Sequence, residues 1–497
     1  MRSLLLAIDQ GTTSTRALLV DPAGGVLARC SREIRQYYPH PSWVEHDPEE
    51  IWRSVLECAF EVLDQAGRSA RDLAGIGIAN QRETTVLWER STGRPVQRAI
   101  VWQDRRSTAI CEELRASGVA ETIADRTGLT VDPYFSATKL AWSFRHDPLL
   151  VQRARRGEIC FGTIDAWLVW KLTGGACHVT EPTNASRTLL LDLRALAFAP
   201  DLLDLFGIPP EVLPTIVPSG TPTGERPDAH LAGESVPILA VLGDQQSALF
   251  AQACLEPGLA KSTYGTGSFV LGHAGEGRVA GGGELLCTVA VGERAGRSTY
   301  ALEGSILSTG SAVQWLRDGL GVIRAAAETE QLAASLPGND DVWFVPALAG
   351  LGAPYWDPGA RGTLLGVTRA TTRAHVARAV LEGIAWRTRD VLEAMARAGS
   401  PVRELRADGG ATANRWLMQF QADALGIPVD VAASREATAL GVAYLAGIVA
   451  GIWRREDVAR LRRSAGRFEP NASDDERESA YRRWQEAVAR SARWARP

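Results

Sequence analysis

The sequence predicts an α/β protein made of two related domains, and two observations support this prediction. The chain has 497 residues, too many for a single hydrophobic core. A hairpin with a turn rich in glycine and hydroxyl groups occurs near the N-terminus and again near the midpoint, as an internal duplication would produce. We therefore expect domains over residues 1–250 and 251–497, with a junction near Pro257-Gly258 and a cleft between them.

The first hairpin covers Leu4 to Asp21. Apolar runs at 4–8 and 17–20 flank a polar turn, which predicts two strands and a tight connection. The turn region reads Asp9, Gln10, Gly11, Thr12, Thr13, Ser14, Thr15 and Arg16. Its backbone N–H groups and hydroxyls can bind phosphate oxygens, and Asp9 is suited to holding a hydrated metal ion. The alternative is a surface hairpin without a ligand.

Composition excludes several classes of protein. Hydrophobic residues make up 45% and charged residues 23%, as in soluble globular proteins. The net charge of −4 gives no electrostatic reason for nucleic acid as a partner. Only three of the 54 basic residues are lysines, a bias that we attribute to codon usage. They are Lys139, Lys171 and Lys261.

Cysteine usage and hydropathy predict a cytoplasmic protein that does not insert into a membrane. The seven cysteines are far apart and form no CxxC motif, so we expect thiols in a reducing compartment. The apolar residues before Asp9 are too few for a signal peptide. The apolar run from Ala437 to Trp453 is too short for a membrane span and predicts a buried helix.

In the first half, Val26 to Ile34 predicts a third strand, and Asp47-Pro48 predicts the start of a helix. Leu73 to Ala79 predicts a buried strand, and polar residues follow directly at 80–85. Ligands of α/β sheets bind where strands end, so Arg82 and Glu83 could bind hydroxyl groups there. An exposed ion pair on a loop is the alternative.

Further along, two aromatic side chains and one acid are candidate site residues. Trp102 and Tyr134 could stack on a carbon skeleton, although aromatic residues of this kind more often pack in a core. Val236 to Leu242 predicts a strand that leads into Gly243-Asp244-Gln245-Gln246. An acid just past a buried strand indicates a catalytic or metal site, or alternatively a helix N-cap.

The second half repeats the pattern. Residues 261–268 form a second Gly-Thr turn between apolar stretches, followed by Phe269. A Gly-rich loop at 408–414 leads into a helix from Arg415, and Asn414 could hydrogen-bond a base or ribose. Neither a Walker-A sequence nor GxGxxG is present. We expect the charged tail from Glu456 onward to be helical and peripheral.

These motifs together resemble those of the FGGY carbohydrate kinases over nearly the whole chain. The resemblance implies the duplicated α/β fold of actin, hexokinase and Hsp70, which is ribonuclease H-like, with ATP and substrate in the interdomain cleft. Within the family, the combination of acceptor residues implies ATP-dependent phosphorylation of glycerol to sn-glycerol 3-phosphate. The motifs are Asp9–Ser14, Asn80–Thr85, Gly243–Gln246, Tyr264–Gly267 and Asp408–Gly410.

The resemblance also implies a role for each matching residue. Asp244 would be the general base, acting with Arg82 and Asp9, and Asp9 would hold Mg²⁺ through water. The glycerol-binding residues would be Arg82, Glu83, Trp102, Tyr134, Asp244, Gln245 and Phe269. The ATP-binding residues would be Thr12, Thr13, Ser14, Arg16, Thr266, Gly310, Gln314, Gly410 and Asn414.

Other functions stay open at this point. A kinase for xylulose, ribulose or gluconate would share the fold, and an actin-like ATPase would share the nucleotide cleft but need no hydroxyl-binding cluster. A catalytically inactive paralogue would not need Asp9 and Asp244. We also expect a homo-oligomer, either a dimer or a tetramer.

One segment departs from relatives that fructose 1,6-bisphosphate inhibits. Those relatives carry a Gly-rich loop with an arginine, whereas residues 230–237 here contain Glu234 and no arginine. An acid should repel a bisphosphate, so we expect this control to be weak or absent. His230 lies where some relatives carry a phosphorylated histidine, but we expect an ordinary surface residue.

Overall fold

The computed structural model of the chain describes residues 2–225, 227–277, 283–292 and 298–495. The strands of the first half are β1 (Leu4–Gln10), β2 (Ser14–Val20), β3 (Val26–Glu33), β4 (Glu45–His46), β5 (Leu73–Asn80), β6 (Val86–Glu89), β7 (Ala99–Ile100), β8 (Ile159–Gly162), β9 (Val179–Thr180), β10 (Leu191–Asp192), β11 (Ala197–Phe198), β12 (Thr215–Ile216), β13 (Ala229–Leu231), β14 (Glu234–Val236) and β15 (Ile238–Gly243). Its helices are α1 (Pro48–Gln65), α2 (Thr108–Ala116), α3 (Ala120–Thr127), α4 (Ser136–His146), α5 (Pro148–Arg155), α6 (Ile164–Leu172), α7 (Pro182–Ala185), α8 (Pro200–Phe206) and α9 (Asp244–Ala251).

The second half has fewer and longer elements. Its strands are β16 (Leu259–Tyr264), β17 (Ser268–Gly275), β18 (Leu286–Gly292), β19 (Ser298–Ile306), β20 (Trp343–Val345), β21 (Thr363–Leu365), β22 (Glu404–Gly409), β23 (Val429–Ala432) and β24 (Ser464–Phe468). Its helices are α10 (Gly310–Gln314), α11 (Glu328–Ala334), α12 (Arg373–Arg397), α13 (Arg415–Leu425), α14 (Ala437–Val449), α15 (Asp457–Leu461) and α16 (Asp474–Ser491).

Two mixed sheets share one topology, which confirms the predicted duplication. The first has the order β15-β5-β1-β2-β3, with β1, β2 and β3 antiparallel and β5 and β15 parallel to β1. The second has the order β18-β19-β17-β16-β22-β23-β24. There β16, β17 and β19 repeat the antiparallel part, and β22 and β23 repeat the parallel part.

Most strands and helices follow the sequence pattern, with one difference. Asp47 caps α1 by accepting from the Glu49 N–H at 2.9 Å, as predicted. The predicted strand from Val236 to Leu242 is interrupted, because β14 ends at Val236 and β15 begins at Ile238. The residue between them is Pro237, which has no N–H to donate to a sheet.

Two helices pack together between the sheets. Helix α14, the predicted buried helix, belongs to the second half of the chain but packs on β1, β5 and β15 of the first sheet. It also packs on α9. A Cβ at Gly441 would lie 1.8 Å from the Ser247 carbonyl oxygen, so the close approach of α14 to α9 requires glycine there. Packing therefore crosses the division into residues 1–250 and 251–497, and that division stays a prediction.

The expectation that the tail is peripheral is wrong. Helix α16 is amphipathic, and its Trp484 side chain is fully buried against the second core. The Trp484 indole N–H and the Tyr481 hydroxyl both donate to the buried carboxylate of Asp390. The charged residues that dominate this part of the sequence lie on the exposed face of the helix. Because they outnumber the apolar residues, the sequence pattern did not indicate the buried face.

The insertion between β5 and β15 forms a third packed layer with its own core of α2 to α5, α8 and β8. This layer carries Trp102 and Tyr134, which are two of the three predicted aromatic site residues. All seven cysteines are buried. Among the helices of the described residues, none combines the length and the apolar character that a membrane span requires.

Candidate active site

The first hairpin turn follows the C-terminal end of β1 and connects it to β2. The Gly11 N–H donates to the Ser14 carbonyl at 2.9 Å and closes the turn. Thr12 and Ser14 are half-buried and Thr13 is exposed. Donors of the turn are thus accessible to an anionic ligand. This geometry suits the phosphate contact assigned to the turn, which stays a prediction.

The second hairpin turn is tied to the start of α10. The Gly265 N–H donates to the Gly267 carbonyl at 2.9 Å. The N–H groups of Thr309 and Ser311 each donate to the Thr266 carbonyl at 3.0 Å. The turn therefore has a fixed position relative to the helix that follows β19.

Gly310 is the contact point between that turn and α10. Its N–H donates to the Gly265 carbonyl at 3.0 Å, and a Cβ at Gly310 would lie 2.6 Å from the same oxygen. Gln314 lies exposed at the other end of this short helix. The structure thus brings Thr266, Gly310 and Gln314, which are three of the predicted ATP-binding residues, into one continuous region.

The Gly409-Gly410 loop joins this region because β22 is paired with β16. Gly409 is the register partner of Tyr264, has φ 99°, and would place a Cβ 2.4 Å from the Tyr264 carbonyl oxygen. Only glycine fits there. Gly410 is exposed with open space beside it, which suits close approach of a ligand.

Asn414 has a structural role that the sequence did not indicate. Its side-chain oxygen accepts from the Leu417 N–H at 2.9 Å and caps α13. Its amide nitrogen donates to the Thr329 hydroxyl at 3.2 Å. Both ends of the amide are therefore bonded within the protein, and the proposed contact with adenosine stays a prediction.

Asp9 is a buried carboxylate within β1. Burial raises its pKa to about 7; Arg16 opposes this rise, whereas Asp244 and Glu436 add to it. Arg16 is also close to Glu436, with 3.9 Å between the nearest charged atoms. The carboxylates of Asp244 and Glu436 thus add to the negative charge around Asp9, which favours a cation there.

Direct metal coordination by the protein alone has no support. Within the part of the chain that the structure describes, no three His, Cys, Asp or Glu side chains converge as a metal-binding group. Mg²⁺ commonly keeps several waters and is held by one or two carboxylates together with substrate phosphates. The Asp9 region fits that mode of binding.

Arg82 and Asp244 meet although they are 162 positions apart in the sequence, because β5 and β15 are neighbours in the first sheet. The Arg82 Nε lies 3.3 Å from Asp244 Oδ1. Arg82 is buried, whereas the Asp244 side chain is 25% exposed. A guanidinium of permanent charge therefore stands beside a carboxylate that a ligand can reach.

Arg82 and Glu83 do not pair chiefly with each other. Their nearest charged atoms are 3.9 Å apart, and each has a closer partner. Arg82 donates to Glu303 at 2.6 Å, and Arg187 donates to Glu83 at 2.6 Å and to Glu303 at 3.0 Å. The four side chains form a closed ring of two arginines and two glutamates, all buried. We call this set the ion ring.

Trp102 and Tyr134 form one wall beside the ion ring. Their rings pack edge to face with centroids 5.5 Å apart. The guanidinium of Arg187 lies 5.5 Å from the Tyr134 ring centroid. The Trp102 indole N–H donates to the Thr12 hydroxyl at 2.8 Å, so the aromatic wall is bonded to the first hairpin turn. No local sequence pattern indicates this link.

The remaining predicted acceptor residues lie on α9 and β17. The Gln245 N–H donates to Asp244 Oδ1 at 2.7 Å, and the Gln245 side chain is half-buried. Phe269 is half-buried on β17, beside β19. Register partners of β17 and β19 include Leu271 with Glu303, two positions from Phe269.

Comparison with known proteins identifies the family. Residues 4–251 match the model of the N-terminal domain of the FGGY family of carbohydrate kinases, and residues 260–450 match that of its C-terminal domain. The chain belongs to the FGGY family of carbohydrate kinases. This confirms the resemblance and the duplicated fold.

Individual relatives of this FGGY kinase are similar over their whole length. It is 54% identical to the glycerol kinase of Bordetella parapertussis over 99% of this chain and 98% of that protein. It is also 54% identical to the glycerol kinase of Trichlorobacter lovleyi over the full length of both. The crystal structure of Plasmodium falciparum glycerol kinase with ADP superposes with a TM-score of 0.92, at 35% identity and 98% coverage of each chain.

Sequence reasoning missed two members of the ion ring of this FGGY kinase. Glu303 lies in the fully buried strand β19, and a lone acid within an apolar strand is the signal that could have identified it. Arg187 follows α7 in an irregular segment, and no local pattern marks it. Burial raises the pKa of Glu303, but Arg187 and Arg82 outweigh burial and lower the pKa to about 2.

Residues 230–237, from which we predict weak or absent inhibition by fructose 1,6-bisphosphate, lie largely in the β13–β14 hairpin on the surface of this kinase. His230 is exposed there. Glu234 pairs with Arg71 at 2.6 Å, so an arginine distant in sequence does stand beside this hairpin. The expectations about bisphosphate control and about His230 stay predictions.

Proposed function

We propose that this FGGY kinase transfers the γ-phosphoryl group of ATP to a terminal hydroxyl of glycerol and forms sn-glycerol 3-phosphate and ADP. The observation that carries the proposal is the approach of Asp244 to Arg82, 3.3 Å apart, at the edge of the first sheet. Whole-length similarity to proteins named glycerol kinase supports the same reaction.

In this proposal Asp244 is the general base. A new bond forms between the terminal hydroxyl oxygen and the γ-phosphorus, and the bond from that phosphorus to the β–γ bridging oxygen breaks. ADP leaves with the electron pair, and the proton of the hydroxyl goes to an Asp244 carboxylate oxygen. The partly exposed position of Asp244 gives a substrate access to it.

The ion ring supplies the groups that bind a polyol. A hydroxyl both donates and accepts, so it needs a carboxylate and a guanidinium within reach. Glu83 and Arg82 are held in place by Arg187 and Glu303, which lowers the cost of ordering them when the substrate binds. Glu83 also has φ 61°, a strained conformation for this residue that is typical of functional sites.

ATP would be held by the two hairpin turns and the Gly410 loop, with its phosphates near Asp9 and Arg16. Asp9 would hold Mg²⁺ through water, and a bound Mg²⁺ would neutralise charge on the phosphoryl oxygens. The excess of carboxylates around Asp9 supports this assignment. Assembly into a dimer or tetramer is a further proposal.

The test is an assay of ATP consumption with glycerol, dihydroxyacetone, xylulose and gluconate in parallel. We expect glycerol to give by far the highest kcat/KM. Asp244→Asn keeps the size of the side chain and removes the base, so kcat should fall 10²- to 10⁴-fold, roughly the usual contribution of such a group. ATP binding, measured with a non-hydrolysable analogue, should be preserved.

Asp475→Asn, an exposed change on α16, is the matched control and should leave kcat unchanged. Normal turnover in Asp244→Asn would remove that residue from the mechanism. ATP hydrolysis that glycerol does not accelerate would instead favour an actin-like ATPase.

A further inference from the structure

Lys261 is a fully buried lysine of the second sheet that contacts one of the predicted acceptor residues. It lies on β16, and its ammonium donates to the side-chain oxygen of Gln245 and to the Thr263 hydroxyl at 3.1 Å. Gln245 is on α9 in the first half of the chain. The bond between Lys261 and Gln245 thus joins the two halves directly beside Asp244.

Lysine is rare in this chain, and its other uses differ. Three of the 54 basic residues are lysines. Lys139 is also fully buried, but it donates to backbone carbonyls, whereas Lys171 is partly exposed and pairs with Glu49 at 3.0 Å. An ammonium is compact and has three donors, whereas the guanidinium of arginine is a planar fork. The space and the partners at position 261 suit the smaller cation.

The contact decides how the Gln245 amide is oriented. An ammonium can only donate, so the atom of Gln245 that it contacts must be the oxygen. The Gln245 nitrogen therefore points elsewhere, and no protein acceptor for its N–H groups is found within the described residues. Because Asp244 is the neighbouring residue, these unbonded donors are next to the proposed acceptor site.

We propose that Lys261 is a positioning residue that fixes the Gln245 amide with its N–H groups toward a hydroxyl oxygen of the acceptor. This inference rests on the proposed function, and it assigns Gln245 the role of donor rather than acceptor. The ammonium form of Lys261 is essential to it, because a neutral amine could accept from the Gln245 amide and allow the opposite orientation.

The charges around Lys261 set the pH range over which it acts. Burial lowers its pKa to about 8; Asp408, Asp244 and Glu303 oppose this shift, and Arg82 adds to it. The ammonium is therefore present at neutral pH and is lost as pH rises through about 8. Glycerol binding should weaken in the same range.

The test compares Lys261→Met with Lys171→Met as the matched control. We expect Lys261→Met to raise KM for glycerol about tenfold and to change KM for ATP less than twofold. In the wild type and in Lys171→Met, KM for glycerol should rise between pH 7.5 and 9. In Lys261→Met this rise should be absent, a difference that a merely structural role would not produce.

A second variant makes the test independent of whether Lys261→Met folds. Gln245→Glu can still accept from Lys261 but has no N–H group, so KM for glycerol should rise by a similar factor. An unchanged KM for glycerol in either folded variant, or an alkaline rise that persists in Lys261→Met, would overturn the inference. Absence of glycerol turnover in the wild type would instead refute the proposed function.

Discussion

Removing the charge of Glu303 should destabilise the protein strongly, because this carboxylate balances two buried arginines. Its side chain is fully buried and contacts Arg82 at 2.6 Å and Arg187 at 3.0 Å. Glu303→Gln keeps the size of the side chain and leaves two buried guanidinium groups with Glu83 and the partly exposed Asp244 as their remaining close counter-charges.

Two arguments give the size of the expected loss in the free energy of unfolding. The pKa of Glu303 falls from 4.5 to about 2 on folding, which corresponds to ~3 kcal/mol of favourable interaction with its surroundings. Removal of one partner from a buried ion pair generally costs about 3–5 kcal/mol. The folded-state pKa is depressed, so this stabilisation is present above pH 4.5 and lost as pH falls toward 2. We therefore expect a loss of roughly 3 kcal/mol at pH 7.

The assay is urea unfolding at pH 7, followed by tryptophan fluorescence. Glu284→Gln is the control, because Glu284 pairs with Arg397 at 3.1 Å on the surface and its loss should have little effect. The double variant Glu303→Gln with Arg187→Gln should recover part of the loss, since it removes the excess positive charge. If Glu303→Gln costs less than about 1 kcal/mol, the ion ring does not stabilise the fold as we argue.

Two further predictions concern the phosphate side of the site. Trp102→Phe removes the indole N–H that donates to the Thr12 hydroxyl. The loss of one hydrogen bond, worth roughly 1 kcal/mol, should raise KM for ATP about fivefold and change KM for glycerol less. Trp142→Phe in the same layer is the control, and an unchanged KM for ATP in Trp102→Phe would contradict a role of this hydrogen bond in ATP binding. Asp9→Asn should abolish Mg²⁺-dependent activity yet raise the melting temperature of the ligand-free protein at pH 8. The folded-state pKa of Asp9 is raised to about 7, so its neutral carboxyl form favours folding. That contribution is complete below pH 3.8 and is lost as pH rises through about 7, where the buried group becomes a charged carboxylate. A lower melting temperature for Asp9→Asn at pH 8 would show that the charged carboxylate stabilises the folded protein, contrary to this prediction.

The sequence predicted the elements whose patterns are local. The hairpins at 4–20 and 259–275, the cap at Asp47 and the loop at 409–410 are recognisable because a turn or a cap needs particular residues within a few positions. The same residue patterns led to the FGGY family, which the match over 4–251 and 260–450 confirms.

Side-chain contacts between residues that are far apart in the chain could not be predicted from the sequence. Nothing near Arg82 indicates that Glu303 would be its closest partner, because that contact depends on how the second sheet meets the first. Trp102 and Thr12 are likewise 90 positions apart. The buried face of α16 was missed since its many charges lie on the opposite side.

By itself, then, the sequence determined the repeated α/β pattern, the two phosphate-type turns and the candidate acid at position 244. Only the tertiary structure decided which charges neutralise one another and which donors stay available to a substrate. The reason is physical: turns and caps are specified by backbone sterics over a few residues, whereas the energy of a buried charge depends on every group that surrounds it.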